Sequence, residues 1–174
     1  MILVAFLGRG SSVQQAPSPY RGQEGREIKT LSLEEIRALQ AGEGMGLAKA
    51  AELNGYPGPK HVLELAEALE LSEEQRARTR EAFERMKENA VALGSAIVEK
   101  ESALDRMFRE RVIDPEKLEA AVGEIANLQG RLRLAHLEAH LELESVLTQD
   151  QISQYVALRG YHDPSQHHQP GKHH

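Results

Sequence analysis

The chain has 174 residues, a length that suits one domain with a modest core. Aromatic residues make up only 4% and Trp is absent, so the core must be built mainly from Leu, Ala, Ile and Val. There is no Cys, which excludes disulfides, thiolate zinc sites and cysteine nucleophiles. The net charge of −6 argues against nucleic acid as a partner, because binding phosphates usually needs a basic surface.

The N-terminal part is not expected to belong to the folded core. Its first residues, MILVAFLG, are too short to span a bilayer and lack the cationic start of a signal peptide. They are either the remnant of a signal or membrane anchor, or a disordered start. Gly, Pro, Ser and Gln then dominate up to residue 30, which is typical of a linker. We therefore expect three parts: a linker over 1–30, a helical domain over 31–160 and a disordered tail over 161–174.

Three short helices are predicted at the front of the helical domain. Ser32 and Glu35 form a capping box for the first, and Gly42 ends it. The second lies in GMGLAKAAELNG. The third follows the helix-breaking YPGP and covers about three turns of KHVLELAEALE.

Two long helices are predicted to follow and to form an antiparallel hairpin. The first begins with a capping box in LSEEQ, at residues 71–75, and runs to about Val112 with apolar residues spaced three and four apart. The segment IDPEK breaks it, because Asp114 suits an N-cap and Pro115 the first helical position. The second long helix runs to about Val146. A short last helix begins in LTQDQ, at residues 147–151.

The second long helix carries two apolar stripes. One stripe, which includes Leu118, Val122 and His136, is predicted to face the first long helix. The other consists of Leu134, Leu137 and Leu141. A lone hairpin can bury only one of them, so the second stripe needs the short helices, another subunit or a client protein.

The motifs LSEEQ and LTQDQ each begin a helix, and together they bracket the hairpin. Their key positions are Leu71, Gln75, Leu147, Thr148 and Gln151. This pair resembles the L-T-x-x-Q motif pair of the Spy/CpxP family of periplasmic proteins, with Ser72 where Thr is usual. The resemblance covers roughly residues 69–161. The stretch GEGMGLAKAAELNGYPGPKHVLEL is also similar to the front part of the metal-responsive, CnrX/ZraP-like branch of heavy-metal sensors and resistance proteins.

The resemblance implies an all-α, cradle-like homodimer in the periplasm. It implies one of two functions: a metal-binding sensor or stress-resistance protein, or an ATP-independent chaperone (a holdase) with no essential metal. The corresponding partners are a membrane signalling protein or unfolded client proteins. A structural hairpin with neither activity is a third alternative.

The segment HLEAH places His136 and His140 four residues apart, on one face of the second long helix. A zinc protease needs H-E-x-x-H, with Glu directly after the first His, but that position holds Leu137. The protease reading is rejected, and no other catalytic motif is present, so we predict that the chain is not an enzyme. The pair either binds a metal ion with a third ligand from a neighbouring helix, or is packed in the core.

Further ligands are expected from the first long helix. If the hairpin turns near Ile113, the two histidines lie opposite residues 84–90, which makes Glu84, Met86 and Glu88 candidates. Glu and His suit divalent Zn, Ni or Co, whereas Met favours Cu. Met45 is expected to lie in the core and His61 to be an ordinary helix residue.

The tail is rich in His, Gly and Pro, a composition that binds metal without a fold. Its five histidines are His162, His167, His168, His173 and His174. They are interrupted by QPGK, unlike a contiguous purification tag. We interpret the tail as a natural metal-collecting segment of low affinity, because a flexible segment must be ordered on binding.

Overall fold

The computed structural model describes residues 17–161, and within that range the chain forms six helices and no strand. These are α1 (Leu33–Gln40), α2 (Lys49–Glu52), α3 (Pro59–Glu64), α4 (Glu73–Arg109), α5 (Pro115–Val146) and α6 (Gln149–Leu158). The helices α4 and α5 form the long hairpin. The helix α1 packs on α4, α2 on α5, and α3 against both. The predicted all-α hairpin with short flanking helices is confirmed.

Two of the predicted segments lie outside the described residues: the apolar start MILVAFLG and the histidines of the tail. None of the helices within residues 17–161 is long and apolar enough to cross a bilayer. Packing begins slightly before residue 31, because Ile28 is buried and the Thr30 hydroxyl donates to Glu101 on α4 at 2.8 Å.

The helices α1, α4, α5 and α6 begin at the predicted capping residues. Capping boxes are formed by Ser32 with Glu35 on α1, Ser72 with Gln75 on α4, and Thr148 with Gln151 on α6. On α5, the Asp114 side chain accepts from the N–H of Lys117, and Pro115 occupies the first helical position. These caps satisfy backbone donors that no intrahelical acceptor can reach.

The two capping glutamines also join the two ends of the hairpin. Gln75 Nε2 donates to Gln151 Oε1 at 2.8 Å, and Gln151 Nε2 donates back to Gln75 Oε1 at 3.1 Å. Gln75 further donates to the Val146 carbonyl, and Leu71 and Leu147 are both buried beside the pair. The motif residues therefore tie the start of α4 to the start of α6.

The helix α3 is shorter than expected and ends at Glu64. A series of turns replaces the rest, and Glu70 adopts a left-handed conformation with φ of 50°. The N–H of Leu71 then bonds to the Ala66 carbonyl at 3.0 Å. This bond closes the turns that follow α3 and leads the chain into the cap of α4.

Among residues 17–161, two groups of buried side chains form the core. One lies at the open end of the hairpin and contains Val62, Ala66, Leu69, Leu71, Ala82, Leu143, Val146, Leu147, Tyr155 and Val156. The other lies further along and contains Leu39, Ala90, Ile97 and Leu132. Both depend on α5, which contributes Leu132 to one group and Leu143 to the other, with His136 and His140 between them.

The prediction that Leu118 and Val122 are buried against α4 was wrong. They are 38% and 50% exposed, because the short helices pack on the other half of the hairpin and leave its turn uncovered.

Candidate metal centre

A cavity of about 400 Å³ lies where α2, α3 and the preceding loop pack on the hairpin. Its lining includes side chains from every one of these segments: Met45, Lys49, Glu52, Lys60, His61, Phe83, Met86, Lys87, His136, His140 and Arg159. The two histidines of HLEAH therefore share one cavity with the front segment of the domain.

His136 is buried in the wall of this cavity and is only 4% exposed. Its Nε2 has no hydrogen-bond partner among the residues that the structure describes. Burial lowers the pKa of His136, and His140 and Lys87 lower it further, so the ring is neutral at neutral pH. A neutral imidazole is the form that binds a metal ion.

His140 is held in one orientation by the backbone. Its Nδ1 lies 2.9 Å from the Tyr56 carbonyl oxygen, which can only accept a hydrogen bond. Nδ1 therefore carries a hydrogen, which leaves Nε2 as the ring atom whose lone pair can bind a metal ion. Metal-binding histidines are commonly fixed in this way by a second hydrogen bond.

Glu52 supplies a carboxylate next to His140. One oxygen, Oε1, accepts from Tyr155 Oη at 2.8 Å, Arg159 Nε at 3.0 Å and Tyr161 Oη at 3.3 Å. The other oxygen, Oε2, lies 3.7 Å from His140 Nδ1. The last residues of the described chain therefore hold Glu52 so that its second oxygen faces the histidine.

Gly58 leaves space between these two groups. A Cβ at this position would lie 3.0 Å from His140 Nε2 and 3.3 Å from Glu52 Oε2. The N–H of Gly58 donates to Tyr155 Oη at 3.2 Å, which fixes the backbone there. The small gap beside the two potential ligand atoms exists because residue 58 has no side chain.

The structure changes the list of candidate ligands on α4. Met86 lines the cavity as expected, but Glu84 and Glu88 are exposed and are not part of its lining. Each lies two residues from Met86 and so points about 200° away around the helix. The carboxylate that the sequence predicts on α4 is instead found on α2, as Glu52.

Met45 does not lie in the core. It is 47% exposed and lines the same cavity. His61 also lines the cavity, where its Nδ1 lies 2.9 Å from Glu64 Oε2.

The donor atoms fit a metal ion in kind, although they are not yet gathered around one point. Two imidazole nitrogens and one carboxylate oxygen are among the preferred ligands of transition metals. Within residues 17–161, however, no three His, Asp or Glu side chains are close enough together to hold an ion. Binding would thus need a small side-chain movement or additional donors.

Sequence patterns could not reveal Glu52, Gly58 or Met45 as part of this site. Helical periodicity shows which face of α5 is buried, but it does not show which loop covers that face. The sequence does predict tight turns in this part of the chain, because the segments GEGMG and YPGP are rich in Gly and Pro.

The second apolar stripe of α5 is largely uncovered. Leu134 and Leu141 are 52% and 59% exposed, and Leu137 is half-buried. Within the described part of the chain, the short helices therefore do not cover this stripe.

No curated protein and no solved structure gives a significant match to this sequence. The sequence profile of a family described as heavy-metal resistance matches residues 44–154, which include α2 to α5 and most of the cavity lining. This match spans well over half of the chain, and the protein therefore belongs to the heavy-metal resistance family.

Proposed function

We propose that this protein is a metal-binding sensor or stress-resistance protein that binds a transition metal ion through His136 and His140. The observation that carries the proposal is the buried Nε2 of His136, which lacks a partner among the described residues and lines a cavity with a second imidazole. Leaving a buried polar atom unpaired costs about 1–3 kcal/mol. A metal ion would satisfy this atom and so recover that free energy.

Metal binding would connect the front segment to the hairpin. Glu52 lies on α2 and the histidines lie on α5, so an ion that contacts both helices holds them together. A ligand shifts a conformational equilibrium only through its different affinities for the two states. We propose that this coupling is the signal, and that a membrane signalling protein reads it.

Location and assembly are proposed from the resemblance to the Spy/CpxP family. We place the protein in the periplasm, as a homodimer without enzymatic activity. The tail histidines would collect metal at lower affinity than the cavity.

The test is calorimetric titration of zinc, nickel, cobalt and copper(II) into the full chain whose five tail histidines are replaced by Asn. We expect one ion per chain with micromolar or tighter affinity, and loss of this binding in His136→Ala. Leu132→Ala is the matched control, since it truncates another buried residue one turn earlier on α5 without removing a nitrogen. Equal binding by His136→Ala and the parent chain would contradict the proposal.

A holdase function is the second candidate, and the exposure of Leu134 and Leu141 favours it. Exposed apolar side chains can capture an unfolded client, while surrounding charges keep the complex soluble. We expect the Leu134→Ser, Leu141→Ser double variant to suppress client aggregation less well than the parent, and His136→Ala to suppress it equally well. If the parent chain itself leaves client aggregation unchanged in light scattering, this candidate is rejected.

A further inference from the structure

We propose that the cavity selects a soft monovalent cation, Cu(I), and that the thioethers of Met45 and Met86 bind it together with His136 and His140. This inference rests on the proposed function, since it names the ion that the cavity takes. Four observations support it: the conformation of Met45, the position of Met86, the shortage of oxygen and nitrogen donors, and the charge of the lining.

Met45 occupies a backbone conformation that suits glycine better. Its φ is 44°, in the left-handed region, and it stands between Gly44 and Gly46. Glycine would adopt this conformation without steric cost. The Met45 side chain is 47% exposed, so packing in the core does not explain its presence. A role for its sulfur in the cavity that it lines does explain it.

Met86 brings a second thioether to the same cavity from α4. It is half-buried and lines the cavity together with His136 and His140. Thioether sulfur is a soft donor that selects Cu(I), whereas the harder dications prefer nitrogen and oxygen.

Nitrogen and oxygen donors alone do not complete the site. Among residues 17–161, no three His, Asp or Glu side chains are grouped closely enough to hold an ion. Of the residues that the structure describes, Glu52 is the only carboxylate in the lining, and its Oε1 accepts hydrogen bonds from Tyr155, Arg159 and Tyr161. His136 and His140 therefore need further donors. His61 also lines the cavity, but its Nδ1 lies 2.9 Å from Glu64 Oε2, and the two methionines of the same cavity offer the thioethers that Cu(I) prefers.

The charge of the lining favours an ion of low charge. Four cationic side chains line the cavity, namely Lys49, Lys60, Lys87 and Arg159. Arg159 pairs with Glu52, and Lys60 pairs with a neighbour on α3. In the part of the chain that the structure describes, no carboxylate lies within ion-pair distance of Lys49 or Lys87. A dication would meet twice the Coulomb repulsion of a monocation at the same place.

The experiment measures Cu(I) affinity by anaerobic competition with bicinchoninate, again in the full chain with tail histidines replaced by Asn. We expect Met45→Leu and Met86→Leu each to weaken Cu(I) binding by about 10–100-fold, the range seen even for outer-shell changes at metal sites. Zinc binding should stay unchanged in both. The matched control is Met107→Leu, on α4 but outside the cavity lining, which should leave Cu(I) binding unchanged.

X-ray absorption of the Cu(I)-loaded parent chain gives a reading that does not depend on how well a variant folds. A sulfur shell around copper, lost in the double methionine variant, supports the proposal. A copper site with nitrogen and oxygen neighbours only, or equal Cu(I) affinity in all three methionine variants, overturns it. If zinc or nickel still binds in a His136-dependent way, the proposed function stands without this inference. If no metal binds in that way, both fail.

Discussion

At the scale of single residues, Gly58 keeps open the gap between His140 Nε2 and Glu52 Oε2. Its φ of −87° and ψ of 135° are ordinary for any residue, so Gly58→Ala introduces no backbone strain. The new methyl group would lie 2.8 Å from His140 Cε1 and would push the ring out of place. We expect metal affinity to fall by about tenfold or more, because changing the residues that orient metal ligands typically lowers affinity by that much. Calorimetric titration of the tail-substituted chain measures it.

A second glycine substitution serves as the control for Gly58→Ala. Gly123 lies on α5 with nothing within 4 Å of a Cβ built there. Gly123→Ala should leave metal binding unchanged and should stabilise the helix by about 0.5–1 kcal/mol. Unchanged metal affinity in Gly58→Ala would show that the gap does not matter.

The residues of the site differ in how far the sequence could predict them. The shared face of His136 and His140 follows from their spacing, and Met86 follows from the antiparallel register of two helices joined by a short turn. Glu52 contacts His140 across a long stretch of chain, through a turn that no periodic pattern describes. The sequence therefore predicts which residues of the hairpin belong to the site, but not which residues the covering segment adds to it.

At the scale of the elements, α1 docks on α4 through Gly94. A Cβ at Gly94 would collide with the backbone carbonyl of Leu39, which cannot move without shifting α1. We expect Gly94→Ala to lower the free energy of unfolding by about 1–3 kcal/mol, the usual cost of overpacking, even though Ala has the better helix propensity. Urea unfolding followed by circular dichroism measures the change.

Gly130→Ala is the matched control for Gly94→Ala. Gly130 lies within α5, and a Cβ at this position would have nothing within 4 Å. This substitution should therefore raise the free energy of unfolding. If Gly94→Ala raised it as well, the close approach of α1 and α4 would not be a constraint on the fold.

Helix boundaries were the most predictable feature at this scale, because they are local. A cap and its third residue satisfy each other over one turn, as Ser72 and Gln75 do, so the sequence contains the whole interaction. The end of α3 was not predictable in the same way. In the turns that follow it, a left-handed Glu70 directs the chain toward the cap of α4, and this residue type gives little signal for that conformation.

At the scale of the whole molecule, the hairpin has two differently covered halves. The half that is remote from the turn between α4 and α5 packs against the short helices and contains the cavity. The half near the turn exposes apolar residues. Phe108, Val112, Leu118 and Val122 are each at least 38% exposed. Composition and periodicity predict the hairpin itself, because both long helices have an apolar face. They do not predict where the short helices pack, since this depends on contacts between distant parts of the chain.

The uncovered turn half leads to a prediction about assembly. Val122 has the spacing of a core position, yet it is 50% exposed, so a second copy of the chain could bury it, as the resemblance to a homodimeric family implies. We expect the protein to sediment as a dimer, and Val122→Glu to shift it toward monomer, because burying an unpaired charge is costly. Leu158→Glu is the control: Leu158 is similarly exposed, at 47%, but lies at the end of α6 in the other half of the molecule. It should leave the dimer intact. A parent chain that sediments as a monomer at high protein concentration, or equal dissociation by both variants, would contradict an interface at the turn.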